Sequence, residues 1–387
     1  MARRKVLILP AWYPSERDPL WGTFVREQAR ALASRSDVAV LHVEWAWPRP
    51  PRPIEMRERM EEGVRTLRVR VARAPGAALL APELAGYAAG LRRLTQAGFA
   101  PDVIHAHVFR AGLHAVVLGR ARGLPVVVSE HYSAFPRHML RRWEVATARA
   151  AFRRAEIVAP VSEDLARHIE SYGIAARFRV VPNVVDDGLF APPAEPEPGG
   201  ARVLVVASLI PLKGVHHVIS ALPRLGEEVQ LDVVGDGPKK PDYQRLAERL
   251  GVAERVRLHG RLEREEVAGF MRRADLLVMA SDWENLPTTL LEAQVSGLPV
   301  VAPAVGGIPE AVSPESGLLV PADDPDALTD GMREALKRTF DRGAIARAAR
   351  ARFGTEAIAS RWEEVYSEAE VLARRRRRVR MRATRSR

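Results

Sequence analysis

The sequence predicts an α/β fold made of two doubly wound parallel sheets in tandem. Three observations carry this prediction. Short apolar runs alternate with longer helical patterns, they fall into two separate series, and a Pro/Gly-rich stretch divides them. The first series occupies residues 6–9, 38–43, 67–71, 103–105, 126–129, 157–161 and 180–181, and the second 203–207, 229–234, 256–258, 276–279, 300–302 and 318–320. Most runs are continuous and rich in Val, Ile and Leu rather than alternating with polar residues, as expected of strands covered on both faces. Between the series, residues 186–200 (DDGLFAPPAEPEPGG) contain four prolines and three glycines, the composition of a linker. The expected domains are 1–187 and 201–354, joined by a linker at 188–200. A C-terminal helix at 355–373 and a basic tail at 374–387 follow. Ligands of open α/β sheets sit beyond the carboxyl ends of the strands, so two such domains are expected to face each other across a cleft.

A chain of 387 residues, 47% hydrophobic and 28% charged, is long enough for two full cores. The absence of cysteine excludes disulfides, thiolate catalysis and Cys-ligated zinc. After MARRK the apolar stretch is broken by Pro10 and Pro14, which argues against a signal peptide. The longest uncharged run, residues 293–309, holds three prolines and three glycines and cannot form a spanning helix. A cytoplasmic location is the expectation. Of the net charge of +11, nine units come from the arginines of residues 374–387, a segment without an acid, so the body is nearly neutral. Such a tail is attracted to anionic lipid by roughly 1 kcal/mol per residue, which suggests peripheral attachment to the inner face of a membrane. Nucleic acid is not expected as a partner, because neither interleaved aromatics nor a reading motif accompanies the charge. Residues 137–154 form a second basic stretch with an amphipathic helical pattern, suited to a membrane interface or to a solvated outer face.

Several catalytic classes are excluded by motif. The nearest approach to a dinucleotide fingerprint, Gly235 to Lys240, lacks the third glycine, and no Walker loop, His-Glu-x-x-His, nucleophile elbow or kinase signature occurs. Asp324 and Asp326 in PADDPDAL read as a loop and helix cap rather than as metal ligands. The most informative segment is SDWENLPTTLLEAQVSGLPVV, where Glu284 and Glu292 stand eight positions apart on either side of a strand end, a tight loop and a helix start. Pro287 fits the first helical turn, and Leu290 and Leu291 begin the buried stripe. Free amides from Asn285 to Thr289 at a helix start suit a diphosphate, while ionised carboxylates can only accept and so suit hydroxyl groups. Phosphate flanked by hydroxyls describes a nucleotide sugar.

The ordered motifs VVPNVVD, VASLIPLKG, LDVVGDGP, RVRLHGRL, ADLLVMASDWENLPTTLLEAQVSGLPVVAPAVGGIPE and SGLLVPADDP resemble the donor-binding domain of retaining family 4 glycosyltransferases. WYPSERDPLWGTFVREQARAL, PDVIHAHVFRAG, VVVSEHYSAF and VAPVSEDLARHI match the first half of that family more loosely. The resemblance implies two Rossmann-like domains in the GT-B arrangement. It further implies retaining, metal-independent transfer of a glycosyl group from a nucleoside diphosphate sugar to an acceptor hydroxyl, as in glycan, glycolipid or exopolysaccharide synthesis. The nucleotide sugar would be a cosubstrate rather than a cofactor, and the acceptor lipid-linked, glycan or a small molecule. Position by position, it assigns Glu284 and His131 to the reacting sugar and Glu292 to the ribose hydroxyls. Lys213 and the amides near Asn285 to Thr288, those of Asn285, Leu286 and Thr288 with Pro287 among them, are assigned to the diphosphate. Gly22 falls where backbone approaches the phosphates, and His107 on the acceptor side. There is no dedicated general base, because in this family the departing phosphate takes the acceptor's proton.

Three positions depart from the pattern. Ser208 stands where many relatives carry a phosphate-binding arginine, and Asn285 and Val184 replace glycines. A left-handed backbone at Val184 would be strained, so the turn after Asn183 is expected to differ locally. Two alternatives remain open: an epimerase or hydrolase of nucleotide sugars on the same fold, and a non-catalytic, membrane-docking binder of sugar nucleotides, which Ser208 would favour.

Overall fold

The structure, a computed structural model, describes residues 3–16, 18–19, 21–46, 54–72, 80–193 and 201–385. The chain forms two compact units, one of Met1–Pro182 with Ile358–Arg387 and the other of Asn183–Ala357. In the first unit, β1 (Lys5–Pro10), β2 (Asp37–Ala46), β3 (Ile54–Glu61), β4 (Val64–Ala72), β5 (Val103–His107), β6 (Val126–Glu130) and β7 (Ile157–Pro160) form one sheet. Its order is β3-β4-β2-β1-β5-β6-β7, parallel except where β3 pairs antiparallel with β4. In the second unit, β8 (Arg202–Val206), β9 (Gln230–Val234), β10 (Val256–Gly260), β11 (Leu276–Val278), β12 (Val300–Pro303) and β13 (Gly317–Val320) form a wholly parallel sheet of order β10-β9-β8-β11-β12-β13. In both sheets the strand order reverses beside the unit's first strand, between β1 and β5 and between β8 and β11. A crevice opens at the carboxyl end of such a reversal because the flanking helices lie on opposite faces.

The apolar runs became strands for the expected reason: Val6, Leu7, Ile8 and Leu9 have no exposed surface, nor have Leu276 and Leu277. Two differences stand out. Residues 180–181 are not a strand, although Arg179 N and Val181 N donate to Val158 O and Pro160 O and so run along β7. β3 (IEMRERME) was not expected, because its charges hide the period; at the sheet edge they pair instead with β4, as Glu58 with Arg65 at 2.6 Å and Glu61 with Arg68 at 2.7 Å.

The expected linker also falls differently. Asn183 onward belongs to the second unit, where Val185 N donates to Phe353 O, and residues 194–200 of the linker lie outside the described residues. The basic stretch at 137–154 contains a helix, Arg142–Phe152, that buries Ala148, Ala151 and Phe152 and leaves Trp143 exposed under the Arg110 guanidinium. Among the described residues no helix is long and apolar enough to cross a membrane.

The last helix does not stop at residue 373 but continues as Thr355–Arg385. Trp362, Tyr366, Ala369 and Ala373 recur at helical spacing and are all buried, which seats this helix on the first unit. Tyr366 OH lies 2.7 Å from His105 Nδ1, and Arg4 pairs with Glu363 and Glu370. The basic segment is therefore partly structural. Arg376 pairs with Glu156, whose side chain is only 5% exposed and whose Oε2 accepts the Val126 N–H at the start of β6.

Replacing Arg376 leaves a buried carboxylate without its counter-charge, an arrangement that costs about 1–3 kcal/mol. Arg376→Ala should lower the unfolding free energy of the first unit by about that much in urea titration, whereas exposed Arg375→Ala should change it by less than about 0.5 kcal/mol. Equal midpoints for the two variants would refute the structural role of Arg376.

Candidate active site

The second unit gathers its site from the loops after β8 and β11, at the strand-order reversal. A cavity of about 170 Å³ is lined there by Ser208, Lys213, Ser281, Glu284, Pro287 and Thr289, among others. Lys213 ends a short turn, Pro211–Lys213, and Gly214 follows at φ 58°. A Cβ at Gly214 would lie 1.9 Å from Ala280 O, so only glycine lets this turn pack onto the end of β11. Asp282 N donates to Leu212 O at 3.0 Å and closes the contact. The result is that Lys213 Nζ reaches Glu284 Oε1 at 2.5 Å, while Ser281 Oγ donates to the same oxygen at 2.8 Å.

Glu284 is nearly buried, and the chain after it is held by its carbonyls. Asn285 O accepts Gly307 N at 2.7 Å, and Leu286 O accepts Asn183 Nδ2 at 3.2 Å. In a trans peptide the N–H points opposite to the preceding C=O, so the Leu286 N–H is turned away from the Gly307 loop. Helix Thr288–Val295 begins next, and the amides of its first two residues, Thr288 and Thr289, have no intrahelical acceptor. Pro287 is the residue that caps this helix, at φ −69° and ψ 127°, rather than part of its first turn, and its carbonyl accepts Leu290 N and Leu291 N. Leu290 and Leu291 are fully buried as expected. Glu292, half-buried, stands one helical turn beyond Thr288 on the same face. Neither Asn285 nor Val184 has a positive φ; Val184 packs into the interior with an ordinary backbone. Ser208 is exposed and lines the same cavity as Lys213. Asp324 caps helix Pro325–Lys337 by accepting Ala327 N at 2.8 Å.

The first unit makes a separate cluster at the ends of β1, β5 and β6. Gly22 precedes helix Thr23–Ala33 at φ 81°, and a Cβ there would lie 2.4 Å from Trp12 O. Its lack of a side chain is thus already demanded by the Trp12 backbone. The helix's Phe24 packs on the His131 ring at 4.4 Å. His131 Nε2 lies 3.1 Å from His107 Nδ1, with the two rings nearly parallel. His107 has no exposed surface, so it meets His131 rather than solvent. Burial lowers the His107 pKa well below the usual histidine value, with His105 and His131 adding to the effect, and it takes His105 down to about 3. Both imidazoles are neutral near pH 7.

Sequence reasoning named Gly22, His107, His131, Lys213, Glu284 and Glu292. It missed Ser281, which shares Glu284 with Lys213, and Glu130, a charged residue at the end of an otherwise uncharged strand. Among the described residues no group of three or more His, Asp or Glu side chains is arranged to hold a metal ion.

Residues 22–189 match the model of Glycosyltransferase Family 4, and residues 191–352 match that of Glycosyl transferases group 1. D-inositol 3-phosphate glycosyltransferase of Xylanimonas cellulosilytica is 30% identical over 306 residues, which cover 69% of this chain and 72% of that protein. The chain belongs to glycosyltransferase family 4. Among solved structures, sucrose-phosphate synthase from Thermosynechococcus elongatus aligns with a TM-score of 0.74 and 22% identity over 95% of this chain and 99% of its own. Anabaena HepE, solved with UDP and glucose, aligns with a TM-score of 0.71 and 19% identity over 94% and 99% of the two chains. These likenesses establish the GT-B fold. The family 4 chain is a glycosyltransferase whose two Rossmann-like units each carry part of the residues assigned from sequence.

In this glycosyltransferase Lys213 neutralises a carboxylate that is 8% exposed as a residue. Lys213→Ala should therefore destabilise the second unit by about 1–3 kcal/mol in denaturant titration, and the double variant Lys213→Ala/Glu284→Gln should recover part of that loss. No recovery would show that the pair is not coupled.

Proposed function

We propose that the enzyme transfers a glycosyl group from a nucleoside diphosphate sugar to an acceptor hydroxyl with retention of anomeric configuration and without a metal ion. The observation that carries the proposal is the Lys213–Glu284 pair beside the first-turn amides of helix Thr288–Val295. A cation and the N–H groups of a helix start suit a diphosphate, whose charge grows as it leaves; a donor fixed in such a place is commonly worth about 3–4 kcal/mol in the transition state. A carboxylate on each side can accept hydroxyls, and the family resemblance gives Glu284 to the sugar and Glu292 to the ribose. On arrival, the diphosphate shares Lys213 with Glu284 and frees an acceptor on that carboxylate. Asn285, Leu286 and Thr288 provide backbone donors, and Pro287 fixes the helix start. His131 and Gly22 of the first unit take the roles the family resemblance gives them, at the reacting carbon and the phosphates. The reading is supported by a relative named for transfer to inositol 3-phosphate and by a structural neighbour holding UDP and glucose. No general base is assigned; the leaving phosphate takes the acceptor's proton.

A panel of UDP-, GDP- and ADP-sugars in thermal-shift measurements should single out one nucleobase, since a ligand stabilises by RT ln(1 + [L]/Kd). With that donor, Glu292→Ala should weaken binding by roughly tenfold or more, equivalent to about 1.4 kcal/mol. NMR of the product should show the donor's anomeric configuration, in buffer containing a chelator. Inverted product, or activity abolished by the chelator, would refute the mechanism. Ser208 favours a second reading, a donor-binding protein without turnover; binding with no sugar release from any donor would establish it.

We also propose a peripheral attachment to anionic membrane. Helix Thr355–Arg385 exposes Val371, Val379 and Met381 along a turn sequence otherwise dominated by arginine. Apolar side chains at a basic surface suit lipid headgroups. The chain should co-sediment with vesicles containing phosphatidylserine at low salt and not with neutral vesicles; a paired charge reversal at Arg378 and Arg382 should abolish this. Equal recovery with both vesicle types would exclude it.

A further inference from the structure

Glu130 ends β6, and none of its surface is exposed. Its carboxylate accepts three backbone N–H groups: Oε2 takes Phe109 N at 2.9 Å, and Oε1 takes His131 N at 2.9 Å and Tyr132 N at 2.8 Å. A carboxylate has about four acceptor sites, so the three amides nearly saturate it, and backbone donors cannot rotate away as side chains can. Two chain segments are tied together by this one group. One is the turn from His107 into helix Val108–Arg122, whose first-turn donor is Phe109 N; the other is the loop that carries His131.

The tie holds a strained element. Val108, between His107 and Phe109, has φ 71°, a left-handed backbone that a β-branched residue adopts only where its surroundings enforce it. The strain directs the chain so that His107 and His131 stack face to face, 5.3 Å between ring centres at 15°. Burial pushes the Glu130 carboxyl up to about 7 while its three amide bonds pull the other way. The group is thus a buried acid held by backbone dipoles alone, with no side-chain cation in contact among the hydrogen bonds it makes.

The geometry points to Glu130 as the positioning residue that fixes the His131 loop and the His107 turn in register for glycosyl transfer. It touches neither ring and acts through the backbone of both. The inference rests on the assignment of His131 to the reacting sugar. A glutamine at 130 presents a carbonyl on one side only. Either the Phe109 N–H or the His131 and Tyr132 N–H pair then meets an amide NH2 and loses its acceptor, so one of the two segments is released.

The test uses the full chain with 15N-labelled histidine, His131 being assigned by the signal lost in His131→Gln and His107 by that lost in His107→Gln. Glu130→Gln should move the imidazole signals of both His131 and His107 and leave those of His217 and His259, in the second unit, in place. With the donor found in the nucleotide-sugar panel, kcat should fall about 10- to 100-fold while KM for the donor stays within about threefold, the signature of a lost positioning contact rather than of lost binding. Glu130→Asp keeps the charge but is one methylene shorter, and carries the same test with the same expectations if the glutamine variant does not fold. Unmoved His131 and His107 signals, or an unchanged kcat in a variant that is merely less stable, would overturn the inference. If the unaltered chain transfers no sugar from any donor, it is the proposed reaction that fails, and the imidazole spectra alone decide whether Glu130 positions the two histidines.

Discussion

The second unit is organised around a carboxylate that should not, by itself, be where it is. Glu284 is nearly buried at the head of a loop whose neighbours supply a lysine, a serine hydroxyl and a close-packed glycine turn. Taking such an ion out of water costs several kcal/mol unless a partner and hydrogen bonds compensate. The compensation comes from two loops that must therefore pack against each other, after β8 and after β11. Gly306, at φ 53°, lets a third loop in: a Cβ there would lie 1.6 Å from Glu284 O. Satisfying one charge thus fixes three loops at the carboxyl end of the sheet. That rigidity is what the proposed diphosphate would need, because donors already aimed at a charge need no reorganisation when it develops.

The first unit solves a different problem. His105 and His107 are wholly buried and kept neutral by desolvation, so they serve as shape and hydrogen-bonding elements rather than as charges. His105 is satisfied by Tyr366 OH and Ser129 Oγ at 2.7 and 2.8 Å, which links the strand to the C-terminal helix. His107 reaches outward only through His131. A half-buried imidazole stacked between Phe24 and a neutral His107 has its orientation fixed on both faces. The transfer chemistry proposed for this enzyme asks for placement and not for a base, and this arrangement supplies placement.

Much of this was legible in the sequence because parallel strands covered on both faces must be continuously apolar, and in this chain they are. The donor-side residues were legible for a related reason: a helix start after a strand leaves amides free, and the sequence around Pro287 announces one. What stayed hidden was whatever depended on pairing across the fold. β3 looks polar because its glutamates and arginines are satisfied by β4, a strand still to come in the chain. Residues 180–181 look like a strand but only run alongside β7. Ser281 and Glu130 carry no spacing signal; their importance lies in which atoms they reach. The basic terminus was readable as a charge but not as a helix, since its pairing partner, Glu156, lies far away in the sequence and is met by Arg376 only in the fold.

The two ends of β6 show why that arginine matters. At the start of the strand, Val126 N donates to Glu156 Oε2, and at its end Glu130 gathers three amides. Both acids are buried, and burial raises the pKa of each. At the amino end of a parallel sheet, strand N–H groups point outward and a long side chain from a covering helix can reach in, so Glu156 is neutralised by Arg376. At the carboxyl end a helix begins, and the available donors are its first-turn amide of Phe109 and the loop amides of His131 and Tyr132. An arginine placed there would have left its own charge to be matched. Backbone amides satisfy the acid without adding one. At Glu284 the solution is different: Lys213 and the Ser281 hydroxyl satisfy the carboxylate, and helix Thr288–Val295 begins beside it. A helix start thus lies at each site, supplying Phe109 N to Glu130 and standing beside Glu284 at Thr288, and the strand order sets where both begin.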